Sequence, residues 1–385
     1  VIGRTVQRLL EQRRHNLAVL VIDDASDDST ASIVEAFPRD RVWLLRRSLP
    51  DARKGKGEAL NAGFRHLCQS DLLRGWPSNR VIVGVLDADG RLEPGALAEV
   101  ERCFGDPRTG GVQIGVRMYN RDGGLLARMQ DIEFATIGRL FQRGRDRIGS
   151  AGLGGNGQFT RLLALRSIGP APWSRCLTED LELGLQLHVR GWHVRYCGDV
   201  SVAQQALLDV RRLVRQRARW FQGYLQCLSL LTLVTGSPKV GLRKRIELGM
   251  GLILPVLLLL NSVAILLGFV AFVSALVSAA FDGWDAGRAL RHLPVLYAFS
   301  FATVPLVACA YRQVDKISWL RAVALAHAYV VYSNLVWLPA GWRAAVRAVR
   351  GQDRWDKTER TASAADVIDL RDVIDVREPT GAQIA

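Results

Sequence analysis

Six carboxylates stand at the ends of apolar runs or at a helix start, and they set out the chemistry open to this chain. Asp87 and Asp89, in Leu-Asp-Ala-Asp, follow the run from Val81 to Leu86. Alternate side chains of an extended segment point the same way, so both carboxylates share one side. A hard divalent cation takes oxygen ligands and completes its shell with water and substrate phosphates. The pair is therefore a candidate site for Mg²⁺ or Mn²⁺ held against a diphosphate. Read alone, Asp89-Gly90 is also an ordinary turn dipeptide. Asp23 and Asp24 close the run from Leu17 to Ile22. A carboxylate there can accept hydrogen bonds from a base or a ribose; with Asp27, Asp28 and Ser29 next in line, helix capping competes.

Thr178-Glu179-Asp180 follows a glycine-rich stretch over 150–161. Asp180 could take the proton of an acceptor hydroxyl, although acidic residues in a first helical turn also complement the helix dipole. Lys54-Gly55-Lys56-Gly57 opens a helix, where glycines permit close backbone approach and Lys56 suits a phosphate. It is not a Walker loop, because no Gly-Lys-Ser/Thr follows. Gln216, Arg219 and Trp220 are spaced to share one helix face. Arg219 offers a fork for phosphate oxygens, and Trp220 a flat face for a sugar ring. An amphipathic helix at a membrane surface has the same look.

These residues need a scaffold. Apolar runs at Leu17–Ile22, Val42–Leu45, Val81–Leu86 and Val112–Val116 read as buried strands. Helices are expected from about Asp28, over Glu58–Cys68, and from Pro94 to Phe104. Strands alternating with helices predict an α/β fold with a mostly parallel sheet covered on both faces. Ligands of such sheets bind beyond the carboxyl ends of the strands, where Asp23, Asp24, Asp87 and Asp89 fall. Thr178 is expected to cap the helix of Glu179 and Asp180, and Leu207–Tyr224 reads as a basic amphipathic helix.

The second half differs. Apolar blocks at 248–281, 294–310 and 322–341 suit membrane spans, which need about 20 residues each. Pro255 makes the first block one span or a broken pair. The net charge is +14. Arg243-Lys244-Arg245 lies just before these blocks and Arg343, Arg347 and Arg350 just after, a placement that favours a cytoplasmic leaflet over nucleic acid. Three crossings would put the tail outside, whereas the last arginines argue for inside; either the first block crosses twice or one block lies in the interface. The six cysteines show no Cys-x-x-Cys spacing and read as reduced thiols without a metal or redox role.

Taken in order, Val-Ile-Asp-Asp-Ala-Ser, Gly-Lys-Gly-Glu-Ala-Leu-Asn-Ala-Gly, Leu-Asp-Ala-Asp, Gly-Asn-Gly, Thr-Glu-Asp and Gln-Arg-Ala-Arg-Trp resemble the membrane-bound glycosyltransferases of family 2. That group includes cellulose, chitin, hyaluronan and poly-N-acetylglucosamine synthases. The resemblance implies a GT-A (Rossmann-like) domain over 1–205, interfacial helices over 206–245, a transmembrane region over 246–341, and a tail over 342–385 that is basic and then disordered from Thr361. It also implies an inverting enzyme using a UDP-sugar and Mg²⁺ or Mn²⁺, with a growing polysaccharide as acceptor; single transfer to a lipid is the alternative. Asp23 or Asp24 would meet the uridine, Lys56 the diphosphate, and Asp87 and Asp89 the donor and metal. Asp180, with Glu179 beside it, would be the catalytic base, and Gln216, Arg219 and Trp220 would line the diphosphate and acceptor end. The implied location is the plasma (inner) membrane with a cytoplasmic catalytic domain. Lipids, and an accessory subunit as a candidate, are the partners, without nucleic acid. The chain departs from the pattern in opening at Val1 without the usual first strand and its preceding spans, and no cyclic-dinucleotide sensor follows the apolar blocks.

Overall fold

The computed structural model describes residues 1–12, 16–282 and 290–351, with 279, 280 and 282 as backbone only. The tail expected to be disordered from Thr361 lies outside the described residues. Helix α1 (Ile2–Leu10), strand β1 (Val19–Asp24), helix α2 (Thr30–Glu35) and strand β2 (Val42–Arg47) form the first layer. β1 and β2 pair in parallel, with Val19 opposite Val42 and Asp24 opposite Arg47. Burial alternates along β1, so Val19 and Val21 turn inward against Val6, Leu10, Val34 and Phe37. Each such buried side chain contributes about 1.5–3 kcal/mol. The same alternation carries Asp23 inward.

Helix α3 (Lys56–Gln69), strands β3 (Ile82–Val85) and β4 (Arg91–Leu92), helix α4 (Ala96–Cys103) and strand β5 (Thr109–Met118) follow. Next come α5 (Leu125–Ile132), α6 (Arg139–Ile148), β6 (Gln158–Arg161), α7 (Leu162–Ile168), α8 (Glu179–Val189) and β7 (His193–Gln204). The main sheet has the order β3-β6-β5-β7-β4. This corrects the expectation of a mostly parallel sheet: only β5–β7 is parallel, while β3–β6, β5–β6 and β4–β7 are antiparallel. The cause is β6, a short strand of mixed residues that inserts between β3 and β5 and runs against both. One face of the sheet is covered by Phe64, Leu165, Trp173, Leu183 and Leu187, the other by Ala96, Val100 and Phe104. β1 and β3 are not paired with each other among the described residues, and Leu20, Ile22, Val83 and Val85 line the space between them.

Helix α9 (Val210–Cys227) precedes α10 (Leu231–Gly236), α11 (Leu242–Asp282), α12 (Leu293–Ser300), α13 (Val304–Asp315) and α14 (Trp319–Val349). α9 does not lie on an open surface as its amphipathic pattern suggests. Leu213, Val214 and Ala218 share a core with Met129 and Ile132 of α5, Val307 of α13, and Ala326 and Val336 of α14. Ion pairs reinforce the join, Arg128 to Asp315 at 2.7 Å and Arg145 to Glu247 at 2.8 Å.

Among the described residues three stretches are long and apolar enough to cross a membrane: Leu242–Ser278, Leu293–Asp315 and Trp319–Val349, with mean hydropathies of 2.7, 1.8 and 1.3. α11 is one continuous helix through Pro255, not a broken pair. Its 41 residues at 1.5 Å each make a rod of about 60 Å. Leu258, Leu260, Leu267, Phe269 and Val270 project from it uncovered, a surface that water would penalise and hydrocarbon would not.

Candidate active site

The sequence-predicted residues converge. Asp23, Asp24, Lys56, Asp87, Asp89, Glu179, Asp180, Gln216, Arg219 and Trp220 all line one cleft of about 2620 Å³. α1 helps to fix its floor, because the Thr5 hydroxyl donates to the Ala88 carbonyl at 2.6 Å.

Asp23 and Asp24 occupy neighbouring positions but differ in freedom. Asp23 is 2% exposed. One of its oxygens accepts from the Ser26 backbone at 2.9 Å. The other has no hydrogen-bond partner, and the nearest cation is Arg46 at 3.7 Å. A buried acceptor left open is costly unless a ligand completes it. Asp24 is already engaged, by the Arg47 guanidinium and by the Arg53 backbone at 3.1 Å.

Lys56 is the first residue of α3, after Gly55, which supplies no side-chain cap. Its ammonium donates to Asp87 at 2.6 Å and stands 4.0 Å from Glu179. Burial opposes its charge, but Asp87, Glu179 and Asp180 outweigh this and hold its pKa above the ordinary lysine value. Asn61, one turn on, exchanges hydrogen bonds with the Trp173 backbone at 2.6 and 3.1 Å. That pair ties α3 to the segment leading into Thr178.

Glu179 is pushed up to about 7 by burial and by Asp180, against the pull of Lys56. Burial likewise raises Asp180, with Lys56 opposing. Asp180 stays half-exposed to the cleft. Such a carboxylate binds a proton more tightly than a free one and so makes a stronger base. Gly155 permits the approach: its φ is +78°, and a Cβ there would stand 2.9 Å from an Asp180 oxygen. Thr178 does not cap α8 with its side chain, contrary to expectation. Its hydroxyl meets the sulfurs of Cys176 and Cys227 at 3.6 and 3.7 Å. α9 crosses so close that a Cβ on Gly223 would fall 2.6 Å from Thr178. Cys176 and Cys227 touch, sulfur to sulfur, at 3.6 Å, and all six cysteines are free thiols.

Asp87 and Asp89 supply hard oxygen donors. Asp87 is half-exposed, its backbone N–H donating to Asn156 at 3.1 Å. Asp89 is 5% exposed and accepts from the Gln205 backbone at 2.9 Å. No group of three or more His, Cys, Asp or Glu side chains is gathered for a metal among the described residues. One or two carboxylates plus substrate phosphate is nevertheless the usual provision for Mg²⁺, and this pair fits it.

Asn156, Gln204 and Tyr224 in the cleft, and Arg217 behind it, were not assigned roles in the sequence. Asn156 bridges Asp87 and Gln204, donating to the latter at 2.9 Å. Tyr224 lines the cleft one turn beyond Trp220; burial and the Asp180 charge raise its phenol pKa. The spacing Gln216, Trp220, Tyr224 was the signal that could have found it. Arg217 lies over the Trp220 ring at 4.1 Å.

A sequence model for the glycosyltransferase like family 2 domain matches residues 1–223. Over 255 residues the chain is 31% identical to the β-monoglucosyldiacylglycerol synthase of Synechocystis sp., covering 64% of this chain and 50% of the relative. Over 221 residues it is 24% identical to the poly-β-1,6-N-acetyl-D-glucosamine synthase of Staphylococcus aureus, covering 57% and 50%. The chain thus spans about half the length of these curated relatives. A solved mannosyltransferase from Pyrobaculum calidifontis, in complex with GDP-Man and Mn²⁺, matches with a TM-score of 0.51 and 17% identity over 91% of this chain and 84% of that one. That likeness is one of fold, the GT-A fold that the motif order implies. With ordered motifs, one shared cleft and a matching domain, the chain belongs to glycosyltransferase family 2.

Proposed function

We propose that this protein transfers a sugar from a UDP-sugar to an acceptor hydroxyl at a membrane surface, inverting the anomeric centre to give a β-linkage. The observation that carries this reading is the single cleft shared by Asp23, Lys56, Asp87, Asp180 and Trp220. In it the open Asp23 oxygen accepts from the base, and Lys56 with the first turn of α3 receives the diphosphate. Asp180 lifts the proton from the acceptor hydroxyl as that oxygen attacks the anomeric carbon from the face opposite the leaving group. Lys56 meanwhile keeps positive charge beside the departing diphosphate. Asp87 and Asp89 would hold Mg²⁺ or Mn²⁺, which when bound would neutralise the diphosphate.

Both acceptor classes expected from the sequence fit this chemistry. The lipid reading is favoured here because the diacylglycerol glucosyltransferase is the more similar of the two relatives, at 31% against 24% identity. Arg243-Lys244-Arg245 in the first turn of α11, ahead of its apolar stretch, supports a cleft on the cytoplasmic side. Membranes carrying the protein, incubated with a panel of radiolabelled UDP-sugars, test both points. Label in a one-sugar lipid supports the lipid reading, and label in a polymer returns the polysaccharide reading. No transfer from any UDP-sugar, with transfer from a GDP-sugar, overturns the donor assignment.

A further inference from the structure

Trp220 and Gln216 face the cleft from α9, but what sets them lies behind the helix. The Arg217 side chain is 1% exposed. Its guanidinium donates to Glu133 at 2.7 Å and to the Gln216 side-chain oxygen at 2.7 Å. It lies over the Trp220 ring at 4.1 Å, and Phe134 meets the same ring edge-on at 6.1 Å. Glu133 in turn accepts from the Tyr332 hydroxyl at 3.1 Å. Tyr332 belongs to α14, a stretch long and apolar enough to cross a membrane, as does Trp337, whose ring lies 5.7 Å from Arg217.

Two features separate this cluster from ordinary core packing. A buried ion pair costs desolvation that well-packed apolar side chains would avoid, yet here one sits among the apolar residues where α5, α9 and α14 meet. Glu133 also opens a π-helical turn, Glu133–Gly138, between α5 and α6. Such widened turns interrupt regular helices at a local cost and recur at functional sites. The turn brings Glu133 to Arg217 and Phe134 to Trp220 from adjacent positions.

We propose that Tyr332, Glu133 and Arg217 form a positioning brace through which α14 sets the acceptor side of the cleft. The brace fixes the plane of the Trp220 ring and commits the Gln216 carbonyl oxygen, leaving the Gln216 NH₂ to donate to a ligand. It does not touch Asp23, Lys56 or Asp87, so its work falls on the acceptor and not on the nucleotide. This inference rests on the proposed assignment of Trp220 to the acceptor end.

Tyr332→Phe removes one hydroxyl behind the cleft and leaves Glu133 paired with Arg217. The expected result is an acceptor KM raised about tenfold, with UDP affinity and melting temperature unchanged. Glu133→Gln strips the partner of a buried cation and is expected to destabilise as well, so Tyr332→Phe is the deciding variant. The second readout does not need activity: the emission of Trp220, taken as the difference between the parent and its Trp220→Phe variant. Tyr332→Phe is expected to shift that difference spectrum, because the cation over the ring moves. An unchanged acceptor KM in an active enzyme overturns the brace, as does an unchanged Trp220 emission. A loss of UDP affinity and stability together overturns it too, showing a merely structural contact. A parent inactive with every donor counts against the proposed function, while the emission still decides the brace.

Discussion

Lys56 and Asp87 form a 2.6 Å ion pair across the cleft, joining the first residue of α3 to the turn after β3. Glu179 lies 4.0 Å from the same ammonium. One lysine thus stands between Asp87 and the two carboxylates at the start of α8, and it lowers the proton affinity of both Glu179 and Asp180. Lys56→Met is expected to weaken UDP binding about tenfold or more, the loss of one charge-assisted hydrogen bond. It should also move the acid limb of the rate profile to higher pH, since both carboxylates then hold protons more tightly. Titration calorimetry and a pH–rate profile check the two halves; unaltered UDP affinity would contradict the diphosphate assignment.

The two adjacent aspartates of β1 should separate cleanly. Asp23 has one oxygen without a hydrogen-bond partner, only Arg46 standing 3.7 Å away, whereas Asp24 is spent on Arg47 and Arg53. Asp23→Ala is expected to weaken UDP binding about tenfold with little change in melting temperature. Asp24→Ala is expected to lower the melting temperature, through the loss of the Arg47 contact, with the smaller effect on UDP. Nucleotide titrations and thermal melts on both variants decide, and a reversed pattern would exchange their roles.

Glu179 gives a stability signature. Its pKa in the folded chain is about 7 against an ordinary 4.5. Between those values the folded protein keeps a proton that the unfolded chain has released, so this group makes stability fall as pH rises across that window. Glu179→Gln removes the dependence. The variant is expected to melt higher than the parent at pH 8, with the gap closing as pH falls towards 4.5. Melts of the detergent-solubilised protein across this range test it; a gap independent of pH would mean that Glu179 carries no such burden.

Much of this was readable from residues. The run from Leu17 to Ile22 became β1, which extends two residues further so that Asp23 is buried by simple alternation. The run ending at Leu86 became β3 and delivered Asp87 to the cleft. Strand direction was not readable, because β6 is four residues of mixed character whose pairing depends on distant partners. Thr178 was read as a cap because capping is local, yet its hydroxyl is taken by two cysteines, one of them far away in sequence. Arg217 is one of several arginines in the basic helix expected over Leu207–Tyr224, and nothing in the spacing singles it out. Only the approach of α14 and the π-helical turn buries it, and neither leaves a periodic trace.

Divalent cations should be required. Asp87 and Asp89 provide oxygen donors of the right kind but no complete shell among the described residues. Excess chelator is expected to lower turnover at least tenfold, with recovery on adding Mn²⁺ or Mg²⁺. Full turnover in chelator would remove the metal role of both aspartates.

The most direct test of the account concerns Asp180. Asp180→Asn keeps the shape of the site and removes the base, so single-turnover sugar transfer should fall by about 10²–10⁴ while UDP binding stays within about twofold of the parent. Transfer at the parental rate in this variant would contradict the assignment of Asp180 as the group that takes the acceptor's proton.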